Sequence, residues 1–213
     1  MYQYILFDLD GTLTESGEGI INSAKYALAK MCIGDYDETC LLRFIGPPLQ
    51  ESFRTLIGLS EQDTDLAIKY YREYYQEKGW CENRVYDGIE DLLKQLKDMQ
   101  KNLIVATSKP EDMARKILQY FHLDSYFTYI AGASNGPERI KKEDVIRYAL
   151  SVCKISNLSS AVMVGNRSQD VNGAKAVGMD CIGVLYGYGD REELKQAGAK
   201  NIAVTVQDVF NYV

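Results

Sequence analysis

Two aspartates, Asp8 and Asp10, follow the first apolar run of the chain in the stretch YILFDLDGTLT. Side chains alternate along an extended strand, so both carboxylates leave the same face and Leu9 points away. Both acids can then reach one bound atom, which suits a reaction in which one attacks and the other moves a proton. Gly11 allows a sharp turn after them, with backbone N–H groups that can bind anionic oxygens.

A calcium-binding loop is the main alternative for an Asp-x-Asp-Gly stretch. Such a loop continues with oxygen ligands at alternate positions, ends in a glutamate at position twelve and lies between helices. Here an apolar run precedes the aspartates and Thr-Leu-Thr follows them. The context therefore favours catalysis.

Polar side chains also follow later apolar runs of the chain. They are Thr107 and Ser108 after NLIVA, Asn166 after MVG, and Lys141 and Lys142 in the loop before a helix. Ligands of an open parallel sheet bind beyond the carboxyl ends of its strands, so we expect these groups to lie beside the aspartates. A phosphate monoester is a dianion, and a carboxylate can attack it only where cations offset the repulsion. The set therefore predicts phosphoryl transfer through a carboxylate.

The spacing of apolar residues predicts the elements that would hold these groups. Residues 3–7 form a first strand, and a block of helices without a strand follows from 15 to 80. Helices then alternate with strands at NLIVAT, YFTYIAG, SAVMVG, DCIGVL and NIAVTV, which predicts right-handed crossovers. We predict an α/β fold: a Rossmann-like parallel sheet with helices on both faces (1–14 and 84–213), plus a small all-helical cap domain (15–83) inserted after strand 1.

Composition excludes several other classes of protein. The chain has 213 residues, 46% hydrophobic and 25% charged, which is ordinary for a globular protein. Its net charge of −6 argues against nucleic acid as a partner, and no apolar run is long enough to span a membrane. The five cysteines form no CxxC pair and predict reduced thiols. The amino terminus lacks the features of a secretion signal, which predicts a cytoplasmic protein, and a monomer is the default expectation.

The stretch FDLDGTLT resembles the first motif of the haloacid dehalogenase superfamily, and VATSKP resembles the second. The chain is more closely similar to the phosphoglycolate-phosphatase-like members, which carry a helical cap after the first strand. The resemblance implies that Asp8 is the nucleophile, that Asp10 is the acid and base, and that Thr107 donates its hydroxyl to the phosphate. It also implies a Mg²⁺ cofactor bound by Asp8 and by the backbone carbonyl of Asp10.

The resemblance also implies a lysine that holds the phosphate and the nucleophile. In RIKKEDVIRYAL the apolar helical stripe begins at Val145, so both lysines lie at or before the first turn, where a cation opposes the helix dipole. That misfit favours a functional role. We favour Lys142, three residues before VI as in similar sequences, and Lys141 is the alternative. The implied phosphate site comprises Gly11, Thr107, Ser108 and Lys142.

The fourth motif departs from the family pattern. Residues 165–170 read GNRSQD where relatives usually show GDxxxD, so Asn166 stands in place of a metal-binding aspartate and Asp170 is the other implied metal ligand. An amide oxygen can bind Mg²⁺ but brings no charge, which could cost up to roughly 4 kcal/mol at an effective dielectric of 20 and about 4 Å. Three explanations stay open: an engineered trap, a phosphatase that relies more on Asp170, or a protein that binds phosphate compounds without turnover. Arg167 could pair with a nearby carboxylate or lie at the surface.

The helical insert is expected to select the substrate, because it could close over the strand ends and exclude water. In RFIGPPLQESFR, Gly46 begins a stiff turn, and Arg43 or Arg54 could meet a second anionic group. A plain connector between helices is the other interpretation.

The sequence thus predicts a Mg²⁺-dependent phosphatase that hydrolyses a small phosphorylated metabolite through an aspartyl phosphate. The resemblance implies a phosphoglycolate-phosphatase-like or 5′-nucleotidase-like enzyme. A phosphomutase would use the same residues, and Asn166 motivates a further alternative, a non-catalytic protein that binds phosphometabolites.

Overall fold

The computed structural model describes residues 1–134, 136 and 138–213. The chain divides into two compact units, which we call the core unit and the inserted unit. The core unit comprises Met1–Thr14 and Val85–Val213, and the inserted unit comprises Glu15–Arg84. No described helix is long and apolar enough to cross a membrane. The five cysteines are free thiols.

The core unit is built on a six-stranded sheet. Its strands are β1 (Tyr4–Phe7), β4 (Asn102–Pro110), β5 (Tyr129–Ala133), β6 (Ala161–Gly165), β7 (Asp180–Val184) and β8 (Asn201–Ala203). They lie in the order β5-β4-β1-β6-β7-β8, and all paired strands are parallel. The helices are α4 (Ile89–Asp98), α5 (Glu111–Tyr120), α6 (Lys142–Val152), α7 (Ser168–Ala176) and α8 (Arg191–Ala197). The predicted α/β fold with a Rossmann-like parallel sheet is confirmed.

The central strand β1 is buried on both faces. Its residues Ile5, Leu6 and Phe7 alternate between the faces, yet each is 0% exposed. On one face Leu6 shares a hydrophobic cluster with residues of α6 and α7. A strand covered on both sides reads as a continuous apolar run, which is how YILF reads in the sequence.

The register of the sheet aligns the strand ends that carry polar residues. Phe7 at the end of β1 lies opposite Val105 of β4 on one side and Val164 of β6 on the other. From β1 the chain first adds β4 and β5 on one side and then β6, β7 and β8 on the other. The direction in which successive strands are added to the sheet therefore reverses at β1. In open α/β sheets such a switch point is where ligands bind.

The inserted unit is helical and has an aromatic core. Its helices are α1 (Gly17–Lys30), a 3₁₀ helix (Glu38–Phe44), α2 (Leu49–Ser52) and α3 (Glu61–Tyr74); wider helical turns follow α2 (Phe53–Ile57) and α3 (Tyr75–Gly79). Phe53 packs edge-on against Phe44 and Tyr71, and the Tyr71 ring stacks on Tyr75. Tyr71 of α3 and Tyr75 of the turn after it therefore form part of the packing face of the inserted unit.

Two short strands join the units and correct one prediction. They are β2 (Thr14–Glu15) and β3 (Arg84–Val85), which pair with each other. The prediction of no strand from 15 to 80 is therefore wrong at Glu15. A two-residue ladder has no hydrophobic period to detect, because it forms where the chain leaves and re-enters the sheet.

Ser60 caps the amino terminus of α3, and its removal is expected to lower stability. Its Oγ accepts the backbone N–H of Asp63 at 3.1 Å and donates to the Asp63 carboxylate at 2.7 Å. We expect Ser60→Ala to lower the free energy of unfolding by about 1 kcal/mol, because a helix N–H loses its partner. Urea unfolding measures this. Ser151→Ala, at an exposed helical position in α6, is the control, and an equal effect of both changes would contradict the capping role.

Candidate active site

The two aspartates lie directly after β1 and are almost completely buried, Asp8 being 4% and Asp10 8% exposed. The Asp8 N–H donates to the Val164 carbonyl at 2.9 Å, so its backbone still belongs to the sheet. A tight turn follows, with Gly11 at a φ of +79° that favours glycine. The Gly11 N–H donates to the Thr14 carbonyl at 2.7 Å. In this structure the Gly11 N–H therefore closes the turn, and binding of phosphate at Gly11 stays a prediction.

Lys142, the first residue of α6, connects the aspartates of two motifs. Its Nζ lies 2.7 Å from Asp8 Oδ1 and 2.8 Å from Asp170 Oδ1, and it donates to the Ala106 carbonyl at 3.1 Å. The residue is 6% exposed, whereas Lys141 is exposed to solvent. Of the two lysines that the sequence left open, the structure brings Lys142 to the aspartates.

Burial and charge act in opposite directions on this cluster. Burial raises the pKa of Asp8 to about 6, the Lys142 ammonium opposes the rise, and the Asp170 carboxylate adds to it. Burial lowers the pKa of Lys142, but the Asp170 and Asp8 carboxylates outweigh it and hold that pKa above its ordinary value. Lys142 is therefore a permanent cation beside Asp8, which an attacking carboxylate needs if it is to approach a phosphate dianion.

The end of β4 supplies a hydroxyl and a second cation. Thr107 is buried, and its Oγ1 accepts the backbone N–H of Lys109 at 3.2 Å, while Ser108 is half-buried. Lys109 Nζ lies 2.7 Å and 2.6 Å from the two carboxylate oxygens of Asp10. The sequence interpretation did not assign Lys109 to the site. The available signal was its place beside Thr107 and Ser108 at a strand end, where the ligands of an open parallel sheet bind.

The fourth motif follows β6 and places Asn166 against Asp10. Asn166 is 0% exposed, and its Nδ2 donates to the Asp10 backbone carbonyl at 2.7 Å. Its Oδ1 is buried without a hydrogen-bond partner among the described residues. Asp170 uses Oδ1 for Lys142 and Oδ2 for the Arg167 N–H at 3.0 Å. Arg167 pairs with Glu193 at 2.9 Å, so the structure favours the carboxylate partner over the surface role.

The oxygens near Asp8 fit a divalent cation that prefers oxygen ligands. The Asp8 carboxylate, the Asp10 carbonyl and Asn166 Oδ1 are such ligands, and Mg²⁺ in proteins uses one or two carboxylates with water and substrate phosphate. Within the described residues no three acidic, thiol or imidazole side chains are close enough to hold an ion by themselves. A cation here would therefore depend on neutral oxygens. The structure pairs Asp170, a predicted metal ligand, with Lys142 instead.

A loop after β7 packs against these residues and was not singled out from the sequence. We call residues 185–190, LYGYGD, the glycine loop. A Cβ at Gly187 would lie 2.1 Å from the Gly11 carbonyl oxygen, and one at Gly189 would lie 2.0 Å from the Asn166 carbonyl oxygen. Both contacts are with backbone, so only glycine allows this approach. The two glycines flanking Tyr188 were the available signal.

Replacing Gly187 by alanine is expected to destabilise the core unit. The added methyl group would force the glycine loop away from Gly11, and such overpacking costs about 1–3 kcal/mol. Urea unfolding of the variant measures the cost. Gly34→Ala is the matched control, because no heavy atom beyond Gly34 and its two chain neighbours lies within 4 Å of the position that its added methyl group would occupy. Equal stability of Gly187→Ala and Gly34→Ala would contradict the tight approach.

The three predicted specificity residues lie in the inserted unit. Arg43 and Arg54 are exposed, and Gly46 has a φ of +111°, which is consistent with the predicted turn. Contact of these residues with a substrate stays a prediction.

The chain is similar to proteins with names that concern phosphate chemistry. The family model described as haloacid dehalogenase-like hydrolase matches residues 5–184. A 5′-nucleotidase of Pseudomonas aeruginosa is 42% identical over 194 residues, which cover 91% of this chain and 87% of that protein. Tyrosine-protein kinase PtkA of Mycobacterium tuberculosis is 42% identical over 187 residues, which cover 88% of this chain and 63% of PtkA. A crystal structure titled as a predicted phosphatase from Clostridium acetobutylicum has a TM-score of 0.95 and 47% identity, covering 100% of this chain and 98% of that one.

The chain therefore belongs to the haloacid dehalogenase-like hydrolase family. The resemblance found in the sequence motifs is confirmed. Family membership, together with relatives that are a named 5′-nucleotidase and a predicted phosphatase, classes the chain as a phosphatase.

Proposed function

We propose that the chain is a Mg²⁺-dependent phosphatase that hydrolyses small phosphate monoesters through an aspartyl phosphate on Asp8. The observation that carries the proposal is the buried contact of 2.7 Å between Asp8 and Lys142, with Asp10 two residues away. A carboxylate that is buried, paired with a cation and next to a second carboxylate can divide phosphoryl transfer into two easier steps. The substrate belongs to the class of small phosphorylated metabolites.

The first step forms a bond between an Asp8 oxygen and phosphorus while the ester P–O bond breaks. Lys142 holds Asp8 Oδ1 and fixes the direction of the carboxylate. Asp10 gives a proton to the departing alcohol oxygen. Because Lys109 contacts both Asp10 oxygens, it must release one of them when Asp10 carries that proton. The substrate phosphate, a dianion, offers Lys109 an alternative partner.

The second step returns the site to its starting state. Asp10 takes a proton from a water molecule that attacks the phosphorus of the aspartyl phosphate, the bond from phosphorus to Asp8 breaks, and phosphate leaves. The Thr107 hydroxyl, Lys109 and Lys142 stabilise the charge on the phosphoryl oxygens. Mg²⁺, held by Asp8, the Asp10 carbonyl and Asn166, would supply further positive charge when bound.

Nucleoside 5′-monophosphates are the substrates we propose to test first. The proposal draws on the relative named as a 5′-nucleotidase, which matches most of both chains. Arg43 and Arg54 remain proposed contacts for a second anionic group. Phosphoglycolate, sugar phosphates and pyrophosphate complete the set of candidates.

Phosphoryl transfer to a tyrosine is a second candidate function. It rests on the relative named as a tyrosine-protein kinase, which is as similar in sequence as the 5′-nucleotidase, although this chain spans only 63% of it. Such a reaction would replace the attacking water by a tyrosine hydroxyl. Incubation with ATP and a tyrosine peptide, followed by detection of phosphotyrosine, distinguishes transfer from hydrolysis.

A screen of phosphate esters tests the proposed function. Phosphate release from each ester is measured with MgCl₂ and with EDTA, for the natural chain, Asn166→Asp and the control Asn172→Asp. Asn172 is exposed on α7, so the control adds the same charge outside the site. We expect Mg²⁺-dependent release that is faster in Asn166→Asp. No release from any variant would contradict the proposal and favour a binding protein, and an isomerised ester instead of free phosphate would favour a phosphomutase.

A further inference from the structure

We infer that Asn166 is a two-position side chain, which braces the Asp10 carbonyl when the site holds no metal and turns its oxygen toward Mg²⁺ when the ion binds. The metal half of this inference rests on the proposed function. The bracing half does not, because it concerns the chain alone.

The bracing position is visible in the hydrogen bonds of the side chain. Asn166 Nδ2 donates to the Asp10 carbonyl at 2.7 Å, and both residues are buried. A buried carbonyl without a donor is costly, so this bond stabilises the turn that follows Asp8. An ionised aspartate at position 166 could not supply the bond, because a carboxylate only accepts hydrogen bonds. It would instead set a negative charge against the carbonyl oxygen.

The second position is indicated by the atom that the bracing leaves unsatisfied. Asn166 Oδ1 is buried and has no hydrogen-bond partner among the described residues. Rotation about the Cβ–Cγ bond exchanges Oδ1 with Nδ2 and brings two oxygens, Oδ1 and the Asp10 carbonyl, to face each other. Without a cation those oxygens repel. Neighbouring oxygens around octahedral Mg²⁺ lie about 3 Å apart, close to the 2.7 Å that now separates Nδ2 from the carbonyl oxygen.

Packing around Asn166 limits its motion to that rotation. A Cβ at Gly187 would lie 2.6 Å from Asn166 Cβ, and one at Gly189 would lie 2.0 Å from its carbonyl oxygen. A Cβ at Gly11 would lie 1.8 Å from Nδ2. The glycine loop and the turn thus enclose the residue so closely that its backbone and Cβ are held, while the planar amide group can still exchange its two ends.

Thermal unfolding at pH 8 tests both positions in the natural chain, Asn166→Asp and the control Asn172→Asp. In EDTA we expect Asn166→Asp to unfold about 3–8 °C below the natural chain, because the Asp10 carbonyl loses its donor. Asn172→Asp should stay within about 2 °C. Titration with MgCl₂ should raise the unfolding temperature of all three. The apparent Mg²⁺ affinity of Asn166→Asp should be at least about tenfold higher than that of the other two, because a full charge faces the ion.

The side-chain amide of Asn166 can be followed directly in the natural chain labelled with ¹⁵N-asparagine. Its resonances are identified by their absence from Asn166→Asp or, if that variant fails to fold, from Asn166→Ser. We expect them to shift on saturation with MgCl₂ more than those of Asn172.

Each outcome decides one half of the inference. An Asn166→Asp variant as stable as the natural chain in EDTA would overturn the bracing role. Unchanged Asn166 resonances in a chain that MgCl₂ stabilises would overturn the rotation. If MgCl₂ stabilises neither the natural chain nor Asn166→Asp, the Mg²⁺ dependence of the proposed function fails together with the rotation, while the comparison in EDTA still decides the bracing role.

Discussion

Asp8→Asn is expected to reduce phosphate release on the order of 10⁴-fold or more, because an amide cannot attack phosphorus and no other carboxylate takes its place. Asp10 is held by Lys109, and Asp170 by Lys142 and the Arg167 N–H, so neither is arranged as a substitute nucleophile. Initial rates are measured with p-nitrophenyl phosphate and with the best ester of the screen. The lost rate should lie in kcat, since the step removed is the chemical one.

The control for this variant is Asp98→Asn at an exposed position in α4. It removes the same charge far from the strand ends and should keep the rate of the natural chain. Circular dichroism establishes that Asp8→Asn is folded. A folded Asp8→Asn variant with undiminished Mg²⁺-dependent release would contradict the assignment of the nucleophile.

Lys142→Met should remove both activity and stability. The change leaves the carboxylates of Asp8 and Asp170 buried without the cation that now lies between them. Removing one partner of a buried ion pair costs about 3–5 kcal/mol. The rate should fall on the order of 10³-fold, because the attacking carboxylate then meets the phosphate dianion without this charge. Urea unfolding and phosphate release measure the two effects.

Lys141→Met is the matched control for that change. It removes the same charge from the neighbouring residue, which is exposed and has no place beside Asp8. We expect stability within about 0.5 kcal/mol of the natural chain, the usual range for a surface substitution. If the two variants behave alike, the distinction between the lysines is wrong.

The sequence was informative wherever one strong pattern acted alone. The apolar run YILF predicted a strand that ends at the two aspartates, and Asp8 and Asp10 lie buried directly after β1. The alternation of helices and strands predicted the parallel sheet, because each crossover needs a helix. Lys141 and Lys142 precede Val145 at the start of a predicted helix, where a cation opposes the helix dipole, and this position indicated a functional role.

Other features depend on contacts between distant segments, which periodicity does not record. Lys109 meets Asp10, 99 residues away in the chain, and the local sequence around either residue does not record that contact. The glycine loop reaches Gly11 and Asn166 through close backbone approach. The predicted strand YFTYIAG began too early, since β5 starts at Tyr129 and residues Asp124–Tyr126 form a 3₁₀ turn. Aromatic residues favour strands in general, and here tertiary packing overrides that tendency.

Detection of a phosphoryl group on Asp8 tests the central claim most directly. The Asp10→Asn variant, which lacks the group that activates water, is mixed with MgCl₂ and saturating p-nitrophenyl phosphate, whose leaving group departs without a proton from Asp10. The mixture is quenched in acid and mapped by peptide mass spectrometry. We expect one added phosphoryl group on the peptide that contains Asp8, and none when Asp8→Asn is combined with Asp10→Asn. A natural chain that hydrolyses the ester while Asp10→Asn carries the phosphoryl group on another residue, or on none, would contradict attack by Asp8.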